Sequence, residues 1–181
     1  MKYDLKETET GGAPEFATTV DITESNGTIK FSFECEHTKC FCPFEGKYNE
    51  LHSVGDVCEV FIGSDPTRTT YYEMELSPKG DFMLAKMRYN GDDEQGVPIL
   101  DIGYVDDCFV QTSARLTEKG YECTMEFDIK DILCGEGEVF FNCFRIETDG
   151  GTTNRRLSAL NPTRRRRFHT PKYYISLKDY I

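Results

Sequence analysis

At 181 residues, with 38% hydrophobic and 13% aromatic side chains, the chain has the size and composition of one folded domain. Its formal net charge of −11 argues against a nucleic-acid partner, whose phosphates require a basic surface, and no stretch is apolar for long enough to cross a bilayer as a helix. The N-terminal run MKYDLKETETGGAPEF lacks the apolar core of a secretory signal, so the chain as given is expected in the cytoplasm, or outside the cell if a signal has been removed.

Residues 1–15 read as a peripheral N-terminal segment of a single domain spanning 1–181. Thr28–Glu36 alternates with Ile29, Phe31, Phe33 and Cys35 inward, after the turn signal Ser25-Asn26-Gly27. His37–Gly55 follows as a long irregular loop carrying Cys40, Cys42, Phe44, Tyr48 and His52. Cys35, His37, Cys40 and Cys42 lie close in sequence, but their spacing matches no closed zinc pattern. The eight cysteines fall mostly in inward rows and read as core thiols rather than a disulfide framework, which fits a reducing cytosol or an anaerobe.

Asp56–Tyr89 reads as three consecutive antiparallel strands. Cys58, Val60 and Ile62, then Tyr72, Met74 and Leu76, then Met83, Ala85 and Met87 are assigned to the core face. The opposite face then carries Glu59, Glu73, Glu75, Lys86 and Arg88. Carboxylates beside cations on one sheet face are either a solvated ladder or the floor of a groove for a hydroxyl-rich ligand.

Asn90–Gly96 is an acidic turn whose oxygens suit calcium in type, although its spacing is not that of an EF-hand. Gly103–Arg115 is expected as a strand around Cys108, Phe109 and Val110. Tyr121–Ile129 follows as an alternating strand, and Ile129–Leu133 as a short helical turn. Glu138–Glu147, apolar on both faces, reads as a central strand with Asn142 and Arg145 as its polar interruptions. Four arginines, Arg164 to Arg167, precede a last strand at 173–177. Residues 1–154 hold 13 basic and 31 acidic side chains, whereas 155–181 hold 8 basic and 1 acidic. The basic C-terminal stretch is therefore expected to fold back on the acidic body or to meet an anionic ligand. Strands, turn signals and almost no helix predict an all-β antiparallel sandwich of jelly-roll or immunoglobulin-like architecture with long loops.

No phosphate loop, dinucleotide fingerprint, nucleophile elbow or zincin motif occurs. His37, His52 and His169, the three histidines, form no recognisable triad in sequence, and paired glutamates such as Glu59 and Glu75 are weak grounds for glycosidase chemistry.

Four pieces in order carry a resemblance: Gly55-Asp56-Val57-Cys58-Glu59-Val60-Phe61-Ile62, Tyr71-Tyr72-Glu73-Met74-Glu75, Phe141-Asn142-Cys143-Phe144-Arg145, and Asn161-Pro162-Thr163 with Phe168 to Tyr174. From about Phe16 to the C-terminus the chain resembles the family 9 carbohydrate-binding modules, DOMON-like β-sandwiches. The resemblance implies a bacterial, monomeric module that binds sugar without hydrolysing it, for polysaccharide utilisation. It also implies a structural calcium and a glycoside hydrolase or other carbohydrate-processing partner. Glu59, Glu75, Arg145 and Asn161 match the family's motif positions, with Arg88 expected on the same face. The departure is the absence of tryptophan: Ser53 and Leu160 stand nearest the two places where sugar-binding members carry one. Tyr48, Phe44, His52 and Phe168 are the loop aromatics available to replace that stacking, and the arginine run invites an acidic sugar. Two alternatives stand beside this reading. One is a haem-binding sandwich using Met74, Met83, Met87 or His169, and the other is an interaction scaffold that has lost sugar binding.

Overall fold

The computed structural model describes residues 1–37, 39–44, 50–106, 108–151 and 154–181. Two antiparallel sheets face each other. The first has the order β1 (Lys2–Asp4), β3 (Thr18–Ser25), β4 (Thr28–Glu36), β10 (Gly120–Asp128) and β9 (Gln111–Thr117). The second has the order β2 (Lys6–Glu7), β12 (Arg155–Ala159), β11 (Phe140–Thr148), β5 (Val57–Gly63), β6 (Thr70–Leu76), β7 (Phe82–Asp92) and β8 (Pro98–Tyr104), and β13 (Ile175–Ser176) also pairs with β11. The fold is the expected all-β sandwich. The N-terminal segment supplies an edge strand to each sheet, and Leu5 between them is 1% exposed.

Alternation explains the space between the sheets. Ile29, Phe31 and Phe33 of β4 and Tyr121, Cys123, Met125 and Phe127 of β10 pack onto Cys58, Val60 and Ile62 of β5 and Met74 and Leu76 of β6. Each fully buried apolar side chain of this kind contributes about 1.5–3 kcal/mol. The cysteines are free thiols, and Cys35, Cys58, Cys123 and Cys143 belong to this core.

The outer face of the second sheet is buried too. Phe61 of β5, Tyr71 of β6, Met83 and Met87 of β7, and Phe140, Phe144 and Ile146 of β11 form a second apolar layer, closed by Phe44, Phe168 and Tyr174 from irregular segments. Phe168 lies flat on Phe144 at 4.3 Å, and Tyr174 stands edge-on to Tyr71 at 5.2 Å. This layer corrects the reading of β7. Its register pairs Glu75 with Met83 and Met74 with Leu84, so Met83, Ala85 and Met87 lie on the glutamate face. Lys86 and Arg88 fall with Leu84 on the other. The strand expected at 103–115 is also corrected. After β8 the chain passes from one sheet to β9 in the other, and Phe109 and Val110 fill the inter-sheet core beside β9.

Two polar devices hold the outer covering in place. The far edge of β11 is shared, with β13 pairing at Phe140–Phe141 and β12 from Phe144 onward. Asn142 sits in the break. Its Nδ2 donates to Asn161 O at 2.9 Å, and its Oδ1 accepts from Asn161 N and Cys143 N, both at 3.0 Å. Asn161 Nδ2 then donates to Tyr173 O at 2.7 Å, tying the C-terminal crossing to the sheet. At the head of β5, fully buried Asp56 accepts from Thr148 N (2.6 Å), Thr148 Oγ1 (2.7 Å) and Phe41 N (2.8 Å), latching the 39–56 loop to the end of β11. His37 joins this latch. Its Nδ1 accepts from Lys39 N at 2.6 Å, so its Nε2 carries hydrogen and donates to Thr148 O at 3.1 Å.

Replacing Asp56 with Ala leaves three donors without their acceptor in a dry site, at about 1–3 kcal/mol for a neutral group left unpaired. Urea denaturation of Asp56→Ala is expected to show a loss of about 3–5 kcal/mol. A loss below about 1 kcal/mol would show that the latch does not hold the loop.

Candidate functional site

The β5–β6 register sets Glu59 opposite Glu75 and Phe61 opposite Glu73, so three carboxyls cluster on the outer face. They are 1%, 0% and 3% exposed respectively. Three carboxyls in such surroundings cannot all carry charge without compensation. Above them lie His52, on the short 3-10 turn Leu51–Ser53, and Phe168 and His169 of the C-terminal crossing. Together they bound a pocket of about 470 Å³ with Glu59 and Glu73 at its base, apolar wall positions Val97, Pro98, Leu100 and Ile146, and Arg155, Arg166 and Arg167 at its side.

Each titratable group has a distinct setting. Glu75 Oε1 accepts from His52 Nδ1 at 2.6 Å and Oε2 from the His52 backbone N at 2.9 Å. Burial works against charge on His52, but the hydrogen bond to Glu75 and its negative charge prevail and raise the imidazole pKa. Burial pushes the Glu73 carboxyl well up, reinforced by the charges of Glu75 and Glu59 and by a hydrogen bond to Glu75, in which protonated Glu73 is the donor. Burial also raises Glu59 well above the carboxylate range, with Glu75 adding and Arg155 opposing. Glu59 Oε1 has no hydrogen-bond partner. His169 shares a hydrogen bond with Tyr71 Oη through Nδ1 at 2.9 Å and stacks on Phe61 at 4.9 Å. Burial, followed by the charge on His52, lowers its pKa to about 3, so the ring is neutral.

The arginine run forms a rim rather than a plug. Arg164 donates to Thr10 O, Arg165 pairs with Asp92 at 2.6 Å and donates to Gly96 O, and Arg166 reaches Glu9 at 3.8 Å and donates to Arg155 O. The basic C-terminal stretch thus folds back on the acidic body. Among the described residues, the guanidinium groups of Arg155 and Arg167 make no ion pair within 4.0 Å.

Of the residues singled out from sequence, Glu59, His52 and Phe168 line the pocket, and Glu75 stands directly behind His52. Arg88 is exposed and on the opposite sheet face, because the phase of β7 is inverted relative to the expectation. Arg145 also faces away from Glu59. Alternation in β11 places it with Phe141 and Cys143, where it donates to Thr18 Oγ1 at 2.6 Å and Glu36 O at 2.7 Å and lies over the Tyr121 ring at 5.2 Å. Asn161 is spent on Asn142 and Tyr173. Tyr48 lies outside the described residues. Of the four haem candidates, Met74 is in the inter-sheet core, Met83 and Met87 are in the outer layer, and His169 is engaged by Tyr71 of that layer. Glu73, His169, Arg155 and Arg167 complete the site. Of these, Glu73 carried a sequence signal through its alternation with Glu75 and Arg167 through the arginine run, His169 carried one only as a haem candidate, and Arg155 carried none.

Calcium requires six to eight oxygen ligands. Among the described residues, two groups have side-chain donors within 4.8 Å of one another, His37–Cys40–Asp56 and His52–Glu73–Glu75, and neither is an all-oxygen set. In the acidic turn, Asp92 is taken by Arg165 and Tyr89, and Asp93 Oδ1 accepts from Gln95 N and Val97 N.

No family model matches the sequence, and no curated protein matches it. Solved structures do match the fold. A candidate carbohydrate-binding protein from Bacteroides uniformis superposes with a TM-score of 0.69 at 13% identity, over 96% of this chain and 84% of that one. A family 9 carbohydrate-binding module from Caldicellulosiruptor kristjanssonii in complex with glucose gives 0.57 at 13% identity, over 96% and 82%. The same module with cellotriose gives 0.57 at 12% identity, over 95% and 78%. The chain has the sandwich fold of family 9 carbohydrate-binding modules.

Glu59 bears on stability in a pH-dependent way. Its folded pKa is raised, so its contribution is favourable below the ordinary value of 4.5 and is lost as pH rises towards the folded pKa, at about 1.4 kcal/mol per unit. Glu59→Gln removes that loss. Thermal melts from pH 4 to pH 8 are expected to show the variant gaining on the parent as pH rises. A constant difference across the range would show that Glu59 is not held protonated by its surroundings.

Proposed function

We propose that the chain is a non-catalytic module that binds a saccharide in the pocket over Glu59 and Glu73, and that the preferred sugar carries a carboxylate. The observation that carries this reading is the unpartnered Oε1 of Glu59, a polar atom buried at the base of a pocket of sugar size. A buried oxygen without a partner costs about 1–3 kcal/mol, which a ligand hydroxyl recovers by hydrogen bonding. The match to modules crystallised with glucose and cellotriose supports the same class of ligand.

The use of the carboxyls supports binding without hydrolysis. A glycosidase needs one protonated and one ionised carboxyl flanking the scissile bond. Here Glu75 is committed to His52, and burial holds both carboxyls at the base, Glu59 and Glu73, towards the protonated form, so the base offers no ionised partner. The preference for an acidic sugar rests on Arg155 and Arg167, cations at the wall that make no ion pair among the described residues, since planar guanidinium groups engage carboxylates through paired hydrogen bonds. Phe168 and the aliphatic wall offer the ring an apolar surface in place of tryptophan.

Calorimetry against glucose, cellotriose, glucuronate and galacturonate oligosaccharides tests the reading. Uronates are expected to bind at least about tenfold more tightly than their neutral counterparts, and Arg155→Gln or Arg167→Gln to cost about 1.5–3 kcal/mol of that affinity. No heat with any neutral or acidic sugar would overturn saccharide binding. Equal affinity for both classes would overturn the acidic preference alone.

A further inference from the structure

The carboxyl cluster offers more than a surface for hydroxyls. His52 Nδ1, Glu73 and Glu75 present donor atoms all within 4.8 Å of one another, with both glutamates buried. His169 Nε2 stands 3.8 Å from Glu73 Oε2, and Tyr71 engages its Nδ1 from behind. This is the outer-shell arrangement that orients a ligating imidazole, in which one nitrogen is fixed by a hydrogen bond and the other faces the site. Glu59, directly opposite Glu75 across the strand pair, adds an oxygen with no partner. Two imidazoles and two carboxyls thus line one pocket, with Glu75 directly behind His52. The charge of Arg155 acts on Glu59, and among the described residues Arg155 makes no ion pair with these carboxyls.

We propose that this cluster is a binding site for a zinc-type divalent transition ion, with His52, Glu73 and Glu75 as its first ligands and His169 and Glu59 as the groups that complete it. Mixed nitrogen and carboxylate donors suit zinc, cobalt or manganese better than calcium or magnesium, which favour all-oxygen sets. The ion takes the place of the hydrogens on Glu73 and on His52 Nδ1, so the contact between His52 and Glu75 is replaced by two bonds to one centre. The driving force is electrostatic: a double positive charge is favoured among three buried carboxyls that the strand register sets side by side. The other mixed cluster does not qualify, because the Nε2 of His37 carries hydrogen and donates to Thr148 O.

The inference concerns the proposed saccharide pocket but does not require a sugar, and its test contains none. Metal-stripped protein is titrated with zinc, cobalt, calcium and magnesium, followed by melting temperature and, for cobalt, by visible absorption. Zinc and cobalt at hundredfold excess over Kd are expected to raise the melting temperature by about 5–10 °C, with calcium and magnesium giving none of this rise. The cobalt spectrum is expected to show weak visible d–d bands without the intense near-ultraviolet thiolate band that the eight cysteines would give. Glu73→Gln and Glu75→Gln, near-isosteric changes whose folding is checked by circular dichroism, should each weaken cobalt binding by at least about tenfold. Absence of cobalt bands in folded parent protein would overturn the site, as would a thiolate spectrum or affinity unchanged in both variants. Metal binding with no sugar binding would leave this site standing and remove only the saccharide reading.

Discussion

The second sheet depends on being covered on both faces. In a two-layer sandwich the outer face normally meets water, and alternation there yields a polar row. Here Phe44, Phe168 and Tyr174 close over Phe61, Tyr71 and Phe144, and the outer face becomes a second interior. The glutamates of β5 and β6 are therefore not surface charges. They are carboxyls in a dry environment, and the elevated pKa values of Glu59 and Glu73 follow from that enclosure before any neighbour is considered.

The covering is held by polar atoms at positions where the sheet itself is interrupted. β11 exchanges one edge partner for another around Asn142, and the amide of that residue supplies the hydrogen bonds that neither β12 nor β13 reaches. Asn161 hands the connection on to Tyr173, next to the Tyr174 ring that packs on Tyr71. At the other end, Asp56 holds the loop that returns His52 to the sheet. Site and scaffold are linked through these two points: His52 arrives by way of the Asp56 latch, and Phe168 and His169 by way of the asparagine pair.

Much of this was legible in the sequence, and its limits have a physical origin. Strict period-two rows located β4, β5, β6 and β10, and the mixed run at 138–147 identified the central strand. Glu59, Glu75, His52 and Phe168 were legible as site residues because two lie in alternating strands and two are aromatic rings in loops. The phase of β7 was not legible. Met83, Ala85 and Met87 look like core residues, and they are buried, but in the outer layer. A sheet with both faces apolar gives alternation no sign, so Arg88 was assigned to the wrong side. Arg145 misled for a related reason. An arginine in a buried strand suggests a groove, yet it is satisfied by Thr18 Oγ1 and the Glu36 carbonyl where the two sheets meet. His169, Arg155 and Arg167 reach the pocket by long-range packing that no local pattern encodes.

The absence of tryptophan takes on a different meaning in this setting. Indole rings grip a sugar at an open surface, where burial of the ring face supplies affinity against competing water. A pocket walled by Leu100, Pro98 and Phe168 and based on buried carboxyls sets apolar surface and polar atoms side by side. Polar contacts made there are stronger, because the competing solvent is displaced and the local dielectric is low. Glu59 Oε1, buried there without a hydrogen-bond partner among the described residues, is a hydrogen-bonding demand that a flat aromatic platform would not have. A binding site built in this way discriminates by the complementarity of its buried polar atoms, because a ligand lacking the matching group leaves them unpaired.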